Sequence, residues 1–240
     1  ADEKPALTIS AEEPSGEAAL SESPPAVRND AVLTITARTR IKSEAEATDE
    51  LWHEIRNAYR TRRILTGTLD GIEQTAGGKT LATVSFRGFR IAIPIREMLV
   101  LEDRMPSGRA YADYMNRLNR ILGTMLGAEI DFIVKGIDST THSAVASRRE
   151  AMLRKRQTFY LGKDVSGNPY ISPRPLPEAR VIAVAEKVLR VEAFGIECAI
   201  FARDLSWQWV SDVRDLYSVG DRVLVRVQEI SGEDAEHLSI

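Results

Sequence analysis

Two stretches of the chain repeat one another. Residues 88–98 read GFRIAIPIREM and residues 195–205 read GIECAIFARDL. Gly88 aligns with Gly195, Ala92-Ile93 with Ala199-Ile200, Arg96 with Arg203, Glu97 with Asp204 and Met98 with Leu205, all at one offset of 107. Downstream, Leu126-Gly127 leads into EIDFIVKGI as Val219-Gly220 leads into RVLVRVQEI, and Val145-Ala146 corresponds to Leu238-Ser239, now at an offset of 93. The difference of 14 is an insertion in the first copy, within its helical connection.

Each copy predicts the order strand, strand, strand, helical connection, strand, strand. In the first copy the strands fall at 65–72, 80–86, 89–95, 128–137 and 143–147, with a helix over 111–122. In the second they fall at 180–184, 188–192, 195–201, 222–230 and 237–240. Alternation in the third strand turns Ile91, Ile93 and Ile95 inward and leaves Arg90, Ala92, Pro94 and Arg96 outward. This order is that of a five-stranded Greek-key barrel, the OB-fold, whose second and third strands and two loops bind oligonucleotides. The expected fold is therefore mainly β with some helix: two five-stranded OB-fold barrels in tandem.

The remaining segments place what surrounds the barrels. Residues 1–31 are rich in Ala, Glu, Ser and Pro and lack aromatics, as a disordered acidic tail would. Residues 32–41 alternate as a short strand or extended arm, so 1–47 reads as tail plus arm. A helix is expected from Thr48, with Leu51, Ile55 and Tyr59 on one face and a basic end at Arg56, Arg60, Arg62 and Arg63. Those arginines suit either the helix dipole or phosphate contact. Helix, first barrel and a basic connector span 48–156, a Pro-rich linker spans 157–177, and the second barrel spans 178–240.

Net charge misleads until it is divided along the chain. The total is −3, yet residues 1–31 hold seven acids and two bases, a net of −5, which leaves +2 on residues 32–240. A single cysteine, Cys198, excludes an internal disulfide and suits a small core residue, and the three histidines have no metal-ligand spacing. No apolar run is long enough for a membrane span and no secretory signal is legible, so a cytoplasmic setting without membrane contact, metal or cofactor is expected. Gly77-Gly78-Lys79-Thr80 imitates the end of a phosphate-binding loop, but Glu73 stands where the first glycine of that motif belongs. It reads as a hairpin turn whose Lys79 can touch phosphate.

At the repeated residues the chain resembles the RNA-binding domain repeated in bacterial ribosomal protein S-one. The segment CAIFARDL at 198–205, then YSVGDRVLVRVQEIS at 217–231 and Leu238-Ser239, carry the likeness; the first copy, IAIPIREM and MLGAEIDFIVKGID, is more remote. The resemblance implies that the stacking position of strand three is Phe201 in the second copy and Pro94 in the first. It also implies a functional Asp138, replaced by Ser231, and a basic position four residues on at His142, replaced by Ala235. The paired strand-two phenylalanines of the family are absent: Lys79 and Ala82, or Glu186 and Leu189, stand there.

Candidate contacts follow in three groups. Arg87, Phe89, Arg90 and Arg96 interleave cations with an aromatic around strands two and three of the first copy, unless Phe89 caps the core. Phe201, Arg203, Trp207 and Trp209 do so in the second, unless a tryptophan plugs the barrel end. Arg148, Arg149, Arg154, Lys155 and Arg156 form the densest positive run, which calls for an anion: a nucleic-acid backbone, an acidic partner, or the acidic tail itself competing for the groove. If the tail competes, deleting residues 1–31 tightens binding. The expected function is single-stranded RNA binding without catalysis. The alternatives are single-stranded DNA binding for a mobile element and docking on a ribosome or another nucleoprotein; a nuclease subunit lacking its catalytic half is a remote third.

Overall fold

In a computed structural model that describes residues 44–75, 79–100, 106–171 and 176–240, the chain from Glu44 onward clusters as one compact unit. The tail and arm expected over 1–47 lie outside the described residues, apart from the start of the first helix. That helix, α1 (Glu44–Thr61), begins earlier than its Thr48 cap predicts. It buries Trp52, Ile55 and Ala58 against the first barrel.

The first barrel is closed, in the order β1-β2-β3-β5-β4. Its strands are β1 (Ile64–Gln74), β2 (Thr80–Phe86), β3 (Phe89–Pro94), β4 (Glu129–Asp138) and β5 (Ser143–Ser147), with β3 and β5 parallel and all other neighbours antiparallel. Ile91, Ile93 and Ile95 are buried as alternation requires, with Arg90 and Arg96 exposed. Between β3 and β4 lies the inserted helix α2 (Arg109–Gly123), held to the core by Leu118 and Leu122.

The second unit is a four-stranded sheet, in the order β8-β7-β6-β9. Its strands are β6 (Glu178–Ala185), β7 (Val188–Ala193), β8 (Ile196–Phe201) and β9 (Arg222–Leu224). It repeats the first barrel closely. The β2–β3 corner is Arg87 (φ 47°) with Gly88 (φ 90°), and the β7–β8 corner is Phe194 (φ 47°) with Gly195 (φ 89°). Consecutive left-handed residues make the tight turn whose twist matches a two-residue hairpin. A bulge between Leu69 and Gly71 has its counterpart between Val181 and Ala183. The bonds Leu69 N–H to Ala128 O and Gly127 N–H to Leu69 O recur as Val181 to Asp221 and Gly220 to Val181.

Among the described residues this unit does not close as expected. The predicted strand 222–230 pairs only over Arg222–Leu224, and the closing strand is reduced to one bridge, Ser231 to Ser239. For the fourth strand the partner strand supplies the reason. Val225 N–H reaches Pro177 O, and Pro177 has no N–H to continue the ladder.

The two units meet across α3 (Arg148–Phe159), capped by Ser147, whose side chain accepts from Glu150 N–H. The segment after it is not a bare spacer. Tyr160 and Ile171 are buried with Ile196, Val227 and Leu238, and the Tyr160 hydroxyl donates to Ala193 O at 2.9 Å. Residues 172–175 lie outside the described set.

Candidate nucleic-acid interface

The basic helix shows how a linear cluster differs from a surface patch. At about 100° per residue, Arg148, Met152 and Arg156 share one face of α3, and that face is buried. Arg148 is wholly inaccessible and donates to Glu192, to Glu197 at 2.7 Å and to Met98 O at 2.9 Å. Burial alone would lower its pKa, but Glu192 and Glu197 outweigh this and hold it above the ordinary arginine value. Arg156 donates to Gly195 O at 2.7 Å and to Ala235 O at 3.0 Å.

Lys155 pairs with the buried Asp131, which also accepts from Arg180 and, at 2.6 Å, from the Thr66 hydroxyl. Burial would raise the Asp131 carboxyl; Arg180 and Lys155 hold it below its ordinary value. Arg149 bonds Glu236 at 2.9 Å, and Arg154 donates to Arg62 O. The expectation that this run faces an external anion is therefore corrected for Arg148 and Arg156, which are internal. Their carboxylate and carbonyl partners lie 39 or more residues away in sequence.

The first barrel engages its own candidate residues in the same way. Phe89 is buried, and its ring stands 5.5 Å from that of Trp52, so it caps the core. The indole also meets His142 in an edge arrangement, with ring centroids 5.1 Å apart. Asp138 accepts from Thr140 N–H and the Thr141 hydroxyl, and these bonds keep its carboxyl below the ordinary value. Arg90 pairs with Glu73, Arg87 with Glu54, and Arg96 donates to the Tyr111 hydroxyl at 3.4 Å. Lys79 is exposed, its N–H bonded to the Thr75 hydroxyl in the β1–β2 hairpin, as its reading as a turn residue requires.

The second unit arranges its candidates outward. Phe201 ends β8, and a short helix, α4 (Ala202–Leu205), turns the chain toward Trp207 and Trp209. Phe201 is 47% exposed, while Trp207 and Trp209 are 107% and 89% exposed, so neither indole plugs the barrel. The Arg203 guanidinium lies 5.2 Å from the Phe201 ring centroid, and Lys187 Nζ lies 5.7 Å from that of Trp209. A hollow of about 510 Å³ is lined by these five side chains with Ser206 and Gln208.

Backbone bonds hold its walls. Ala202 N–H donates to Lys187 O, and Val213 N–H to Glu186 O, each at 2.9 Å. Such a hollow offers apolar faces for flat rings and cations for phosphate. Lys187 escaped sequence reasoning because it belongs to the β6–β7 turn, distant along the chain from the Trp pair it serves. Trp52 escaped too: the helical face read from the sequence was that of Leu51, Ile55 and Tyr59, and the rings that meet Trp52 come from other elements.

Among the described residues, no group of three His, Cys, Asp or Glu side chains is placed to hold a metal ion, and no helix is long and apolar enough to cross a membrane. Residues 177–239 match the family model of the S1 RNA binding domain. Over 199 residues the chain is 25% identical to small ribosomal subunit protein bS1 of Coxiella burnetii (strain RSA 493 / Nine Mile phase I). That match covers 79% of this chain and 30% of the relative, so the chain spans less than a third of its length. The second unit, carrying the exposed aromatic hollow, is thus an S1-type RNA-binding domain.

Proposed function

We propose that the chain binds single-stranded RNA through the hollow of its second unit and performs no chemistry on it. The observation that supports this most is the coincidence of exposed Phe201, Trp207 and Trp209 with Lys187 and Arg203 inside the region matched as an S1 domain. Each base of an unpaired strand presents a flat face for stacking, worth roughly 1–3 kcal/mol, and the cations neutralise its phosphates. Base pairing hides those faces, so single strands are preferred over duplexes.

Fluorescence anisotropy of the full chain with labelled single-stranded RNA, single-stranded DNA and duplex DNA, at two salt concentrations, tests the reading. Salt-sensitive binding that favours RNA and weakens on Phe201→Ala supports it. Equal binding to DNA moves the assignment to single strands in general, since discrimination requires contact with the 2′-hydroxyl. No binding at low salt overturns it. A second reading, docking on a ribosome or similar nucleoprotein, is favoured by the likeness to bS1 and by the internally engaged face of the first barrel. Cosedimentation with ribosomal particles without affinity for free RNA would support that reading instead.

A further inference from the structure

The first barrel carries a second cationic feature, which shares only Arg87 with the candidates of strands two and three. The C-terminal end of α1, the β2–β3 corner and the outer side of α3 converge there. Arg154 donates to Arg62 O, fixing α3 beside the end of α1. Arg63 and Arg87 share one carboxylate, Glu54, at 2.7 and 2.6 Å. Lys135 and Arg154 share another, Glu150, at 2.5 and 3.8 Å. Contacts therefore run from Arg87 through Glu54 and Arg63 to the neighbouring Arg62, then through Arg154 and Glu150 to Lys135.

Along this line Arg63, Arg87, Lys135 and Arg154 pair with Glu54 and Glu150, Arg62 brings the net to +3, and Arg60 is exposed on the same helix end. The side chains of Arg63, Arg87 and Arg154 are 53%, 58% and 41% exposed. Beneath Arg63 and Arg87 is a hollow of about 450 Å³ that also exposes Thr68 and Ser85. Its further acid, Glu129, is paired with Arg222 at 3.5 Å.

We infer that this arginine strip is a second RNA contact, one that takes the phosphodiester backbone and reads no base. The inference rests on the RNA-binding reading above and extends it to the first barrel. The chemistry fits a backbone better than a base. Guanidinium groups bind phosphate oxygens in pairs, and the two aromatics along the strip are already covered: Arg62 lies across the Tyr59 ring at 5.9 Å and Arg87 across the buried Phe86 ring at 5.6 Å. Two acids shared among four of the five bases leave the cations with donors to spare. They also space the cations without cancelling them.

The test is the salt dependence of RNA binding by the full chain carrying Arg62→Gln, Arg63→Gln and Arg87→Gln together, beside a Phe201→Ala chain. An unaltered melting curve of the triple variant is the folding control; if it is altered, Arg62→Gln with Arg87→Gln replaces it. Single strands release about 0.7 counterions per phosphate neutralised, so losing three contacts flattens the log K against log salt slope by roughly 2. Affinity at low salt is expected to fall about ten-fold or more. Phe201→Ala lowers affinity with the slope unchanged. An unchanged slope in the arginine variant, with Phe201→Ala still weakening binding, overturns the strip and leaves the aromatic hollow standing. No RNA binding by the unaltered chain overturns both.

Discussion

The two β-units share their hairpin corners, a bulge and the bonds that flank it, yet they treat the same surface in opposite ways. In the first, an inserted helix follows strand three, Pro94 ends that strand, and Trp52 of α1 closes over Phe89 and His142. In the second, Phe201 ends the strand and the following loop presents two indoles to solvent. A backbone kept in register says little about what its surface does. The outcome turns on a few side chains at strand ends and on which neighbouring element lies across them.

The largest effect expected from breaking this pairing of units is at their joint. Arg148→Ala strands Glu192 and Glu197 without their cation and should lower the free energy of unfolding by about 3–5 kcal/mol in urea titrations. Arg90→Ala, at an exposed pair, should cost less than about 1 kcal/mol. Similar costs for the two would mean that the charge cluster does not join the units.

Next in size is the contrast in binding. Phe201→Ala should weaken RNA affinity by about 1–3 kcal/mol with stability nearly unchanged, while Pro94→Ala leaves affinity as it was. Anisotropy and thermal melts on the same preparations separate the cases, and an equal loss from both would erase the functional asymmetry.

Acid should then act on the joint. Burial raises the Asp131 and Glu197 carboxyls, but their arginine and lysine partners outweigh it and hold both below their usual values of 3.8 and 4.5. A carboxyl depressed in the folded state stabilises above its unfolded pKa and loses that contribution as pH falls through the folded one. Stability should therefore fall as pH drops below those usual values, and Asp131→Asn should flatten the profile there. An unchanged profile would remove Asp131 as a source of acid sensitivity.

The smallest expected change is at Lys187. Removing its charge beside Trp209 should cost about 0.5–1 kcal/mol of RNA affinity. A loss as large as that of Phe201→Ala would make the cation, not the ring, the principal contact.

Much of the fold was legible because barrels depend on near-neighbour patterns. The run SAVAS marks β5 as it stands, and the alternation of Ile91, Ile93 and Ile95 orients β3. Phe201 was singled out by the family resemblance, not by the repeat, which pairs it with Pro94. The length of the fourth strand in the second unit was not legible, since it depends on Pro177 across the sheet. Nor was the fate of Arg148, because its partners Glu192 and Glu197 arrive from 44 and 49 residues away. The basic run looked like a surface because its counter-charges are remote in sequence and adjacent in space.

The way α3 is seated changes how this molecule can be taken apart. Met152 O lies 2.4 Å from where a Cβ on Gly195 would sit, so helix and hairpin touch backbone to backbone. A gene divided within 157–177, where proline content suggests a natural boundary, would leave Arg148 and Arg156 on one fragment. Glu192, Glu197 and the carbonyls of Gly195 and Ala235 would fall on the other. Each half would expose a surface built for its twin, and the two expressed together should reassemble as a split protein.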